Sequence, residues 1–265
     1  MNRFERFAED FSFRIAISEQ ERNRVYAMRH EVYCQEFNYD MGEDKVRQLE
    51  RDAYDDAALL CFIEHKKSGL TAGCLRLIMP LDGQPAPLDK LQLENHFGAS
   101  LNHPLLHPAR MPRDRICELS RMAIPRYFRC HGNMRKTMAL NDSLLFSEEE
   151  ALSFPLLNVG LFLSAAALVG LADRDHLFTF MVRQFPRLTA RYGFEFIQIG
   201  KTLDFHGKRA AFYLDYRQTK VAMKHVDEDQ AALYHHIQQE LTAQYDEVIA
   251  SPPIWLTLPS TPCRT

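Results

Sequence analysis

Two opposite charges lie inside a run of residues that otherwise resembles a buried β-strand. Residues 116–124 read ICELSRMAI, where Glu118 and Arg121 stand among aliphatic neighbours and a cysteine. Burying an ion costs several kcal/mol unless a partner compensates it, so the pair is either a structural ion pair or part of an active site. Apolar surroundings raise the pKa of a carboxyl group toward neutral pH. Glu118 is therefore a candidate to accept a proton from an amine, directly or through water.

The spacing of this pair makes a further demand on the backbone. In a regular strand, residues three apart point to opposite faces of the sheet. Glu118 and Arg121 can share one pocket only if a β-bulge lies between them, and bulges are frequent next to active sites. A bulge there would also free backbone N–H groups to bind the carbonyl oxygen of a thioester.

Further charged residues lie upstream of this strand. Arg29 stands beside the apolar stripe of a predicted helix, Asp52 and Asp55 lie three apart in the stretch LERDAYD, and Arg76 stands in the apolar run AGCLRLIMP. Taken singly, the two aspartates are typical of a solvated turn. Arg76 alone is typical of a strand residue whose guanidinium group reaches water.

Four short motifs follow one another along the chain. They are Arg29, Tyr33 and Tyr39 within RHEVYCQEFNY, then Glu50, Asp52, Tyr54 and Asp55, then GCLRL at 73–77, and ELSR at 118–121. In this order they resemble the signature of the acyl-homoserine-lactone synthases, the autoinducer-making branch of the GNAT acyltransferase fold. The resemblance implies a GNAT-like α/β fold with a mixed, mostly antiparallel central sheet flanked by helices.

The same resemblance implies roles for individual residues. The expected catalytic residues are Arg29, Asp52, Asp55, Glu118 and Arg121. The expected substrate-binding residues are Tyr33, Tyr39, Arg76 and His206. For His206, which lies in the run DFHGKR, the capping of a turn is an alternative role.

The C-terminal half resembles a second branch of this group. The run FMVRQFPRLTARYGFEFIQIGKTLDFHGKRAAFYLD is similar to the exosortase-associated acyltransferases of the PEP-CTERM system, which share the synthase-like N-terminal half. Tyr39 stands where the synthases have Trp, and the HGKR element at 206–209 is not part of the synthase signature. These departures favour N-acyl transfer to another amine over homoserine-lactone formation from S-adenosylmethionine. The lactone synthases and the N-acyl amino acid synthases, a third branch, stay as alternatives.

A basic stretch, PRYFRCHGNMRK at 125–136, follows the charged strand. Its R-x-x-G-x-M spacing resembles the GNAT pyrophosphate loop, so Arg126, Arg129, Gly132 and Arg135 are expected to hold the phosphopantetheine arm of an acyl thioester. An ordinary solvated basic loop explains the same residues. The family resemblance implies acyl carrier protein as the donor, and a basic loop also suits docking to the acidic surface of that carrier. Acyl-CoA is the alternative co-substrate, and a small amine is the expected acceptor.

The elements that must position these residues follow from hydrophobic periodicity and turn signals. We predict helices at 19–37, 89–97, 155–172, 183–193 and 228–245, and strands at 59–65, 72–80, 116–124, 176–182, 194–200 and 210–216. The first helix follows a capping box of Ser18 and Glu21, and Gly69 supplies the turn of a hairpin. The order predicts one domain over 1–250 and an irregular tail at 251–265.

Composition narrows the class of protein. Lys and Arg total 32 against 35 Asp and Glu, a net charge of -3 that indicates no nucleic-acid partner. The six cysteines lack C-x-x-C spacing, which favours reduced thiols in a cytosol. No metal site and no tightly bound cofactor are predicted. From a different class, a catalytically silent GNAT-like module that binds an acyl carrier protein or a lipid stays as an alternative.

Location depends on two segments. The N-terminal run MNRFERFAEDF has no apolar signal region, so a cytoplasmic protein is expected. Residues 154–172 approach the length of a membrane span, but a fully buried core helix has the same composition and is the favoured interpretation. Any membrane association is expected to be peripheral, through the acyl substrate or product.

Overall fold

An eight-stranded sheet organises the computed structural model, which describes residues 2–80, 83–129 and 146–250. The strands are β1 (Phe11–Ile15), β2 (Ala58–His65), β3 (Thr71–Ile78), β4 (Ile116–Ala123), β5 (His176–Val182), β6 (Ile197–Gln198), β7 (Leu203–Asp204) and β8 (Lys208–Asp215). Their order is β1-β2-β3-β4-β5-β8-β6, with β7 also paired to β8. Among these strands, only β4 and β5 pair in parallel. The predicted mixed, mostly antiparallel GNAT-like sheet is confirmed.

Helices cover both faces of this sheet. They are α1 (Arg3–Asp10), α2 (Glu19–His30), α3 (Gln92–Phe97), α4 (Arg126–Arg129), α5 (Glu148–Ala151), α6 (Leu157–Leu171), α7 (Phe185–Ala190), α8 (Tyr216–Ala222) and α9 (Glu228–Ala250). Alternation along β3 separates two packing layers. Leu75 and Leu77 pack into the main core with α1, α6 and α9, whereas Cys74 packs with α2 on the opposite face. Arg76 lies between Leu75 and Leu77 in sequence and therefore points to the α2 face.

Helix α6 is apolar on all sides because it lies in the core. Every residue from Leu157 to Val169 except Asn158 is buried. In the part of the chain that the structure describes, Glu148–Leu171 is long and apolar enough to cross a membrane, but 78% of its most apolar window is buried inside the fold. Gly160 allows this close packing, since a Cβ there would lie 2.8 Å from the Phe7 ring. These contacts agree with the core-helix interpretation.

The first predicted helix changes its geometry partway along. Ser18 caps α2 as expected: its hydroxyl accepts from the Glu21 amide at 3.2 Å, and the Glu21 carboxylate accepts from the Ser18 amide at 3.0 Å. The α-helix ends at His30, and a π-helix continues from Glu31 to Glu36. Such π segments are rare in proteins, and those that occur often lie at functional sites.

The structure differs from the prediction mainly at short strands. Strand β1 was not predicted, and it lies at the sheet edge beside β2. Its Phe13 and Ile15 amides are satisfied by Glu240 and Gln244 of α9, at 2.8 and 2.9 Å. The strand predicted at 194–200 is too long, because β6 spans only Ile197–Gln198 and the Phe194 amide instead donates to the Thr189 carbonyl. Helices α1, α4, α5 and α8 and strand β7 were also not predicted. The single domain over 1–250 stays a prediction, and the tail at 251–265 lies outside the described residues.

Candidate active site

A β-bulge in β4 redirects the Arg121 side chain. Arg76 of β3 lies opposite Ser120, whereas Cys74 lies opposite Ala123, so β4 carries one extra residue over this interval. Arg121 has left-handed backbone geometry, with φ of 51°, and it begins the bulge. The bulge turns Arg121 toward the face that carries Arg76 and Ser120, which is also the face of Glu118. The structure therefore contains the irregularity that a shared pocket required.

Three arginines and three carboxylates form a closed ring of ion pairs on this face, which we call the charge ring. Its members follow one another in the order Arg29, Glu50, Arg121, Asp52, Arg76 and Asp55. Arg29 donates to both oxygens of Asp55, at 2.7 and 3.1 Å, and also to Glu50. Arg121 donates to Glu50 at 3.1 Å and to Asp52 at 2.8 Å. Arg76 closes the ring, with contacts of 2.6 Å to Asp52 and 3.2 Å to Asp55.

Local structure holds the aspartates in place. Asp52 caps the 3₁₀ turn Ala53–Ala57, where its carboxylate accepts from the Tyr54 amide at 2.9 Å. In return, the Asp55 carboxylate accepts from the Asp52 amide at 2.8 Å. Asp52 and Asp55 thus do lie in a turn, as expected when the two residues are considered alone. However, the turn is buried against Arg29 and Arg76 instead of being solvated.

The charge ring is balanced in charge and almost entirely buried. The side chains of Arg29, Glu50, Asp55 and Arg76 have no exposed surface, whereas those of Arg121 and Asp52 are 16% and 22% exposed. Burial alone would raise the pKa of Asp55, but Arg29 and Arg76 hold it well below its ordinary value. Mutual pairing of this kind offsets the desolvation of each ion. Arg121 and Asp52 are therefore the ring members with access to a ligand.

Glu118 lies beside the charge ring without bonding to Arg121. It is 2% exposed, and one of its carboxylate oxygens accepts from the Leu93 amide at 2.9 Å, in the first turn of α3. Burial raises the pKa of Glu118 to about 7, although Leu93, Arg76 and Arg121 each act in the opposite direction. A carboxyl group with this pKa can exchange a proton near neutral pH. The direct Glu118 to Arg121 ion pair is not formed.

A cavity opens where β4 and β5 separate. Their parallel pairing covers only Ile116–Leu119 against His176–Thr179. Beyond it, residues 120–124 and 180–182 line a cavity of about 360 Å³. Tyr33 and Tyr39 line it from the α2 face, and Leu161 and Phe162 of α6 line it from the opposite face. The cavity therefore passes through the sheet, from the side of the charge ring to the apolar core helix.

Arg121 is the member of the charge ring that lines this cavity, together with Ser120. Ser120 accepts a hydrogen bond from Arg76 at 3.0 Å, which connects the cavity wall to the buried ring. Arg29 and Asp55, predicted to be catalytic, lie one layer away from the cavity. Arg76, predicted to bind substrate, is likewise fully buried and holds Asp52, Ser120 and Gln92.

Aromatic rings form the rim of the cavity on the α2 face. The Tyr33 hydroxyl donates to the Met122 carbonyl at 2.8 Å, beside the bulge. Tyr39 stacks on His206, with ring centroids 3.9 Å apart, and on Phe37 at 5.4 Å. His206 comes from the turn between β7 and β8 and has φ of 50°. Burial, followed by Arg209 and Arg121, lowers the pKa of His206 and so favours its neutral form.

The predicted thioester-binding residues are only partly placed. Arg129 lines the cavity, pairs with Glu36 and donates to the Ile124 carbonyl at 2.6 Å. Arg126 is exposed in α4, and its amide donates to Glu36 at 2.7 Å. Gly132 and Arg135 lie outside the described residues, so the predicted pyrophosphate loop is not placed.

Several site residues were not chosen from the sequence. Glu50 completes the charge ring, and its place in the ExDxYD motif was the available signal. Arg209 lines the cavity beside Arg121 and belongs to the HGKR element. Gln92 joins Arg76 to Asp52, at 2.9 and 3.2 Å, and no motif marks it.

Comparison with known proteins agrees with this geometry. Residues 28–139 match the family model described as Acetyltransferase (GNAT) domain. That range contains the whole charge ring, Glu118 and one side of the cavity. No curated protein matches the sequence. The domain match and the sheet together support an acyltransferase of the GNAT class.

Three solved structures have a similar fold. TofI, solved in a ternary complex with an inhibitor and MTA, is 17% identical, with 83% of this chain and 99% of that chain covered at a TM-score of 0.55. BjaI, a CoA-dependent acyl-homoserine lactone synthase solved with SAM and isopentyl-CoA, is 14% identical. The match covers 84% of this chain and 97% of BjaI at a TM-score of 0.54. FeeM, an N-acyl amino acid synthase from uncultured soil microbes, is 13% identical. The match covers 82% of this chain and 98% of FeeM at a TM-score of 0.53. The fold is thus shared with both kinds of synthase.

Proposed function

We propose that the protein is an N-acyltransferase that moves a fatty acyl group from an acyl thioester to an amine. The observation that carries the proposal is the cavity between β4 and β5, which joins a polar face to an apolar one through the sheet. An acyl thioester has the same division, since its chain is apolar and its carbonyl and carrier arm are polar. The amine would approach from the side of Tyr33, Tyr39 and Arg121.

In the proposed reaction, the neutral amine attacks the thioester carbonyl carbon. A C–N bond forms, the C–S bond breaks, the amine loses a proton and the carrier leaves as a thiol. Glu118 is the proposed proton acceptor because its pKa is raised to about 7. Its carboxylate does not line the cavity, so the proton would reach it through an intervening water molecule.

The charge ring has a positioning role in this proposal. Its four fully buried members hold the two partly exposed ones in place, since Glu50 contacts Arg121 and Arg76 contacts Asp52. Among the described residues, the hydrogen bonds of Arg121 use Nε and Nη2. Its third nitrogen is thereby free to donate to the thioester carbonyl or to a carboxylate on the acceptor.

The donor is proposed to be acyl carrier protein, with acyl-CoA as the second candidate. Arg129 and Arg209 line the cavity and supply cations for a phosphate group or an acidic carrier surface. The named CoA-dependent synthase BjaI supports acyl-CoA instead. Arg126, Gly132 and Arg135 keep their proposed role at the phosphopantetheine arm.

Two acceptor classes compete within this function. The fold shared with FeeM supports an amino acid, and the folds of TofI and BjaI support the lactone-forming reaction. Tyr39 and the HGKR hairpin differ from the lactone-synthase signature and stack on each other at the rim through His206. We therefore favour an amine other than S-adenosylmethionine. A role in the exosortase system rests on the resemblance of residues 176–216, and the cytoplasmic location and peripheral membrane association stay predictions.

The test is a set of reactions of purified protein with acyl carrier protein and CoA thioesters, each with a panel of amino acids and S-adenosylmethionine. Mass spectrometry of the products identifies both the acyl chain and the amine, and lipids from overproducing cells extend the panel. An acylated amine from either donor supports the proposal. Thioester binding without any acylated product, in the panel and in cells, would instead support the catalytically silent module.

A further inference from the structure

A histidine, a cysteine and a glutamate converge where α2 passes into the π-helix. His30 is the last residue of α2, and Cys34 lies four residues further along, on the same side. Glu43 reaches them from the following loop. One side-chain donor atom from each residue lies within 4.8 Å of the other two.

His30 is buried and Cys34 and Glu43 are half-buried, unlike an ordinary group of exposed surface acids. His30 is 7% exposed, and the Glu43 side chain is 10% exposed. An imidazole nitrogen, a thiolate sulfur and a carboxylate oxygen are the three donor types that zinc binds in proteins. Around a tetrahedral zinc ion such atoms lie roughly 3.5 Å apart. The present separations therefore need to close by only about 1 Å, which rotation of the side chains allows.

We propose that His30, Cys34 and Glu43 bind one zinc-class divalent cation. Binding displaces the Cys34 thiol proton to solvent, so that the thiolate coordinates the ion. The fourth position is filled by water, since the described structure supplies three protein donors here. Lys45, which lies 3.9 Å from Glu43 and is 82% exposed, is free to move away into solvent.

The position of the proposed ion suggests what it does. The loop between the π-helix and Glu50 carries Tyr39, and residues 44–48 are mostly exposed. Two backbone hydrogen bonds tie this loop to the preceding helix: the Tyr39 amide donates to the Tyr33 carbonyl at 2.8 Å, and the Glu50 amide donates to the Tyr26 carbonyl at 3.1 Å. The Tyr39 ring is held as well by its stacking on His206. A cation joining Glu43 to the helix would fasten the middle of this loop. It would thereby hold the loop that joins Tyr39 at the cavity rim to Glu50 in the charge ring.

The competing explanation is a polar cluster with no ion, held by a hydrogen bond from the Cys34 thiol to the Glu43 carboxylate. Titration of the metal-free full-length protein with Co²⁺ separates the two, because thiolate coordination to cobalt produces an intense near-ultraviolet charge-transfer band. We expect this band to saturate at one Co²⁺ per chain and to disappear when Zn²⁺ is added. Absence of the band in the wild-type protein would overturn the proposal.

Variants assign the band to this site. Cys34→Ser should abolish it, and Glu43→Gln should weaken Co²⁺ binding by at least ~10-fold with unchanged circular dichroism. The matched control is the double variant Cys130→Ser, Cys263→Ser, which should keep the band at full intensity. Survival of the band in Cys34→Ser, or its loss in the double variant, would show that the metal binds elsewhere. None of these readouts depends on acyl transfer.

Discussion

Replacing Glu118 by glutamine changes the protonation of the site while keeping its shape. Glutamine has nearly the same volume, and its carbonyl oxygen can still accept from the Leu93 amide, which donates to Glu118 at 2.9 Å. It cannot accept a proton from an amine. The variant therefore separates the proposed chemistry from the packing beneath α3.

The pKa of Glu118 sets the magnitude of both expected effects. A native-state pKa of about 7, against the ordinary 4.5, corresponds to about 3 kcal/mol. The native state binds this proton more tightly than the unfolded chain, so the wild-type protein should lose up to that amount of stability as pH rises from 4.5 to 7. Glu118→Gln lacks this loss. At pH 8 it should therefore be more stable than wild type, by between about 1 and 3 kcal/mol. The gain falls below the full amount because the buried glutamine amide brings a second N–H proton that needs a partner.

Activity should change in the opposite direction. The wild-type rate of acyl transfer, as kcat/KM, should rise with pH through about 7 as Glu118 ionises. At pH 8, Glu118→Gln should be at least ~10-fold slower and should lose this dependence on pH. Product formation by mass spectrometry from pH 5.5 to 8.5, with urea unfolding at the same pH values, measures both effects. The exposed Glu195→Gln is a matched control that should change neither.

Two results would refute this reasoning. Unchanged turnover in Glu118→Gln would remove the catalytic role. Equal unfolding free energies of variant and wild type at pH 6 and pH 8 would show that burial does not raise the pKa of Glu118. A variant that gains stability at high pH but keeps its activity would make Glu118 a buried polar residue without a role in proton transfer.

Three other substitutions test the charge ring and the cavity. Arg29→Met leaves Asp55 and Glu50 without their fully buried partner, so the unfolding free energy from urea titration should fall by about 3–5 kcal/mol. A loss below about 1 kcal/mol would contradict the closed ring. Arg121→Gln removes the partly exposed arginine of the ring, so the rate of acyl transfer should fall by at least ~10-fold. The loss of unfolding free energy should be smaller than in Arg29→Met. A larger loss of stability with little loss of activity would make Arg121 structural. Phe162→Ala enlarges the α6 end of the cavity, so the preferred substrate among competing thioesters should shift toward longer acyl chains. An unchanged chain-length preference would place the acyl chain elsewhere.

Local sequence patterns predicted the elements that carry the site. The capping box at Ser18, the turn at Gly69 and the apolar run 176–182 each depend on neighbours a few residues away, and the structure has these elements. The short strands β1 and β7 could not be predicted in this way, because pairing and packing with other parts of the chain define them. Glu240 and Gln244 satisfy β1, for example, from more than two hundred residues further along the chain.

The sequence by itself determined which residues are chemically unusual. Charges inside apolar runs must be compensated, and this requirement marks Arg76, Glu118 and Arg121 in any fold that buries those runs. It also set the condition that a bulge must accompany a shared pocket for Glu118 and Arg121. These conclusions need only the cost of burying an ion and the period of a β-strand.

Only the tertiary structure decided how those charges are paired. The bulge at Arg121 directs its guanidinium group to Glu50 and Asp52, and Glu118 is left to the Leu93 amide. The same structure separates β4 from β5 beyond Leu119 and opens the cavity beside Arg121. Pairing between charges depends on distances of a few ångströms between separate elements. Spacing along the chain indicates that Glu118 and Arg121 need partners, whereas packing determines which partners they have.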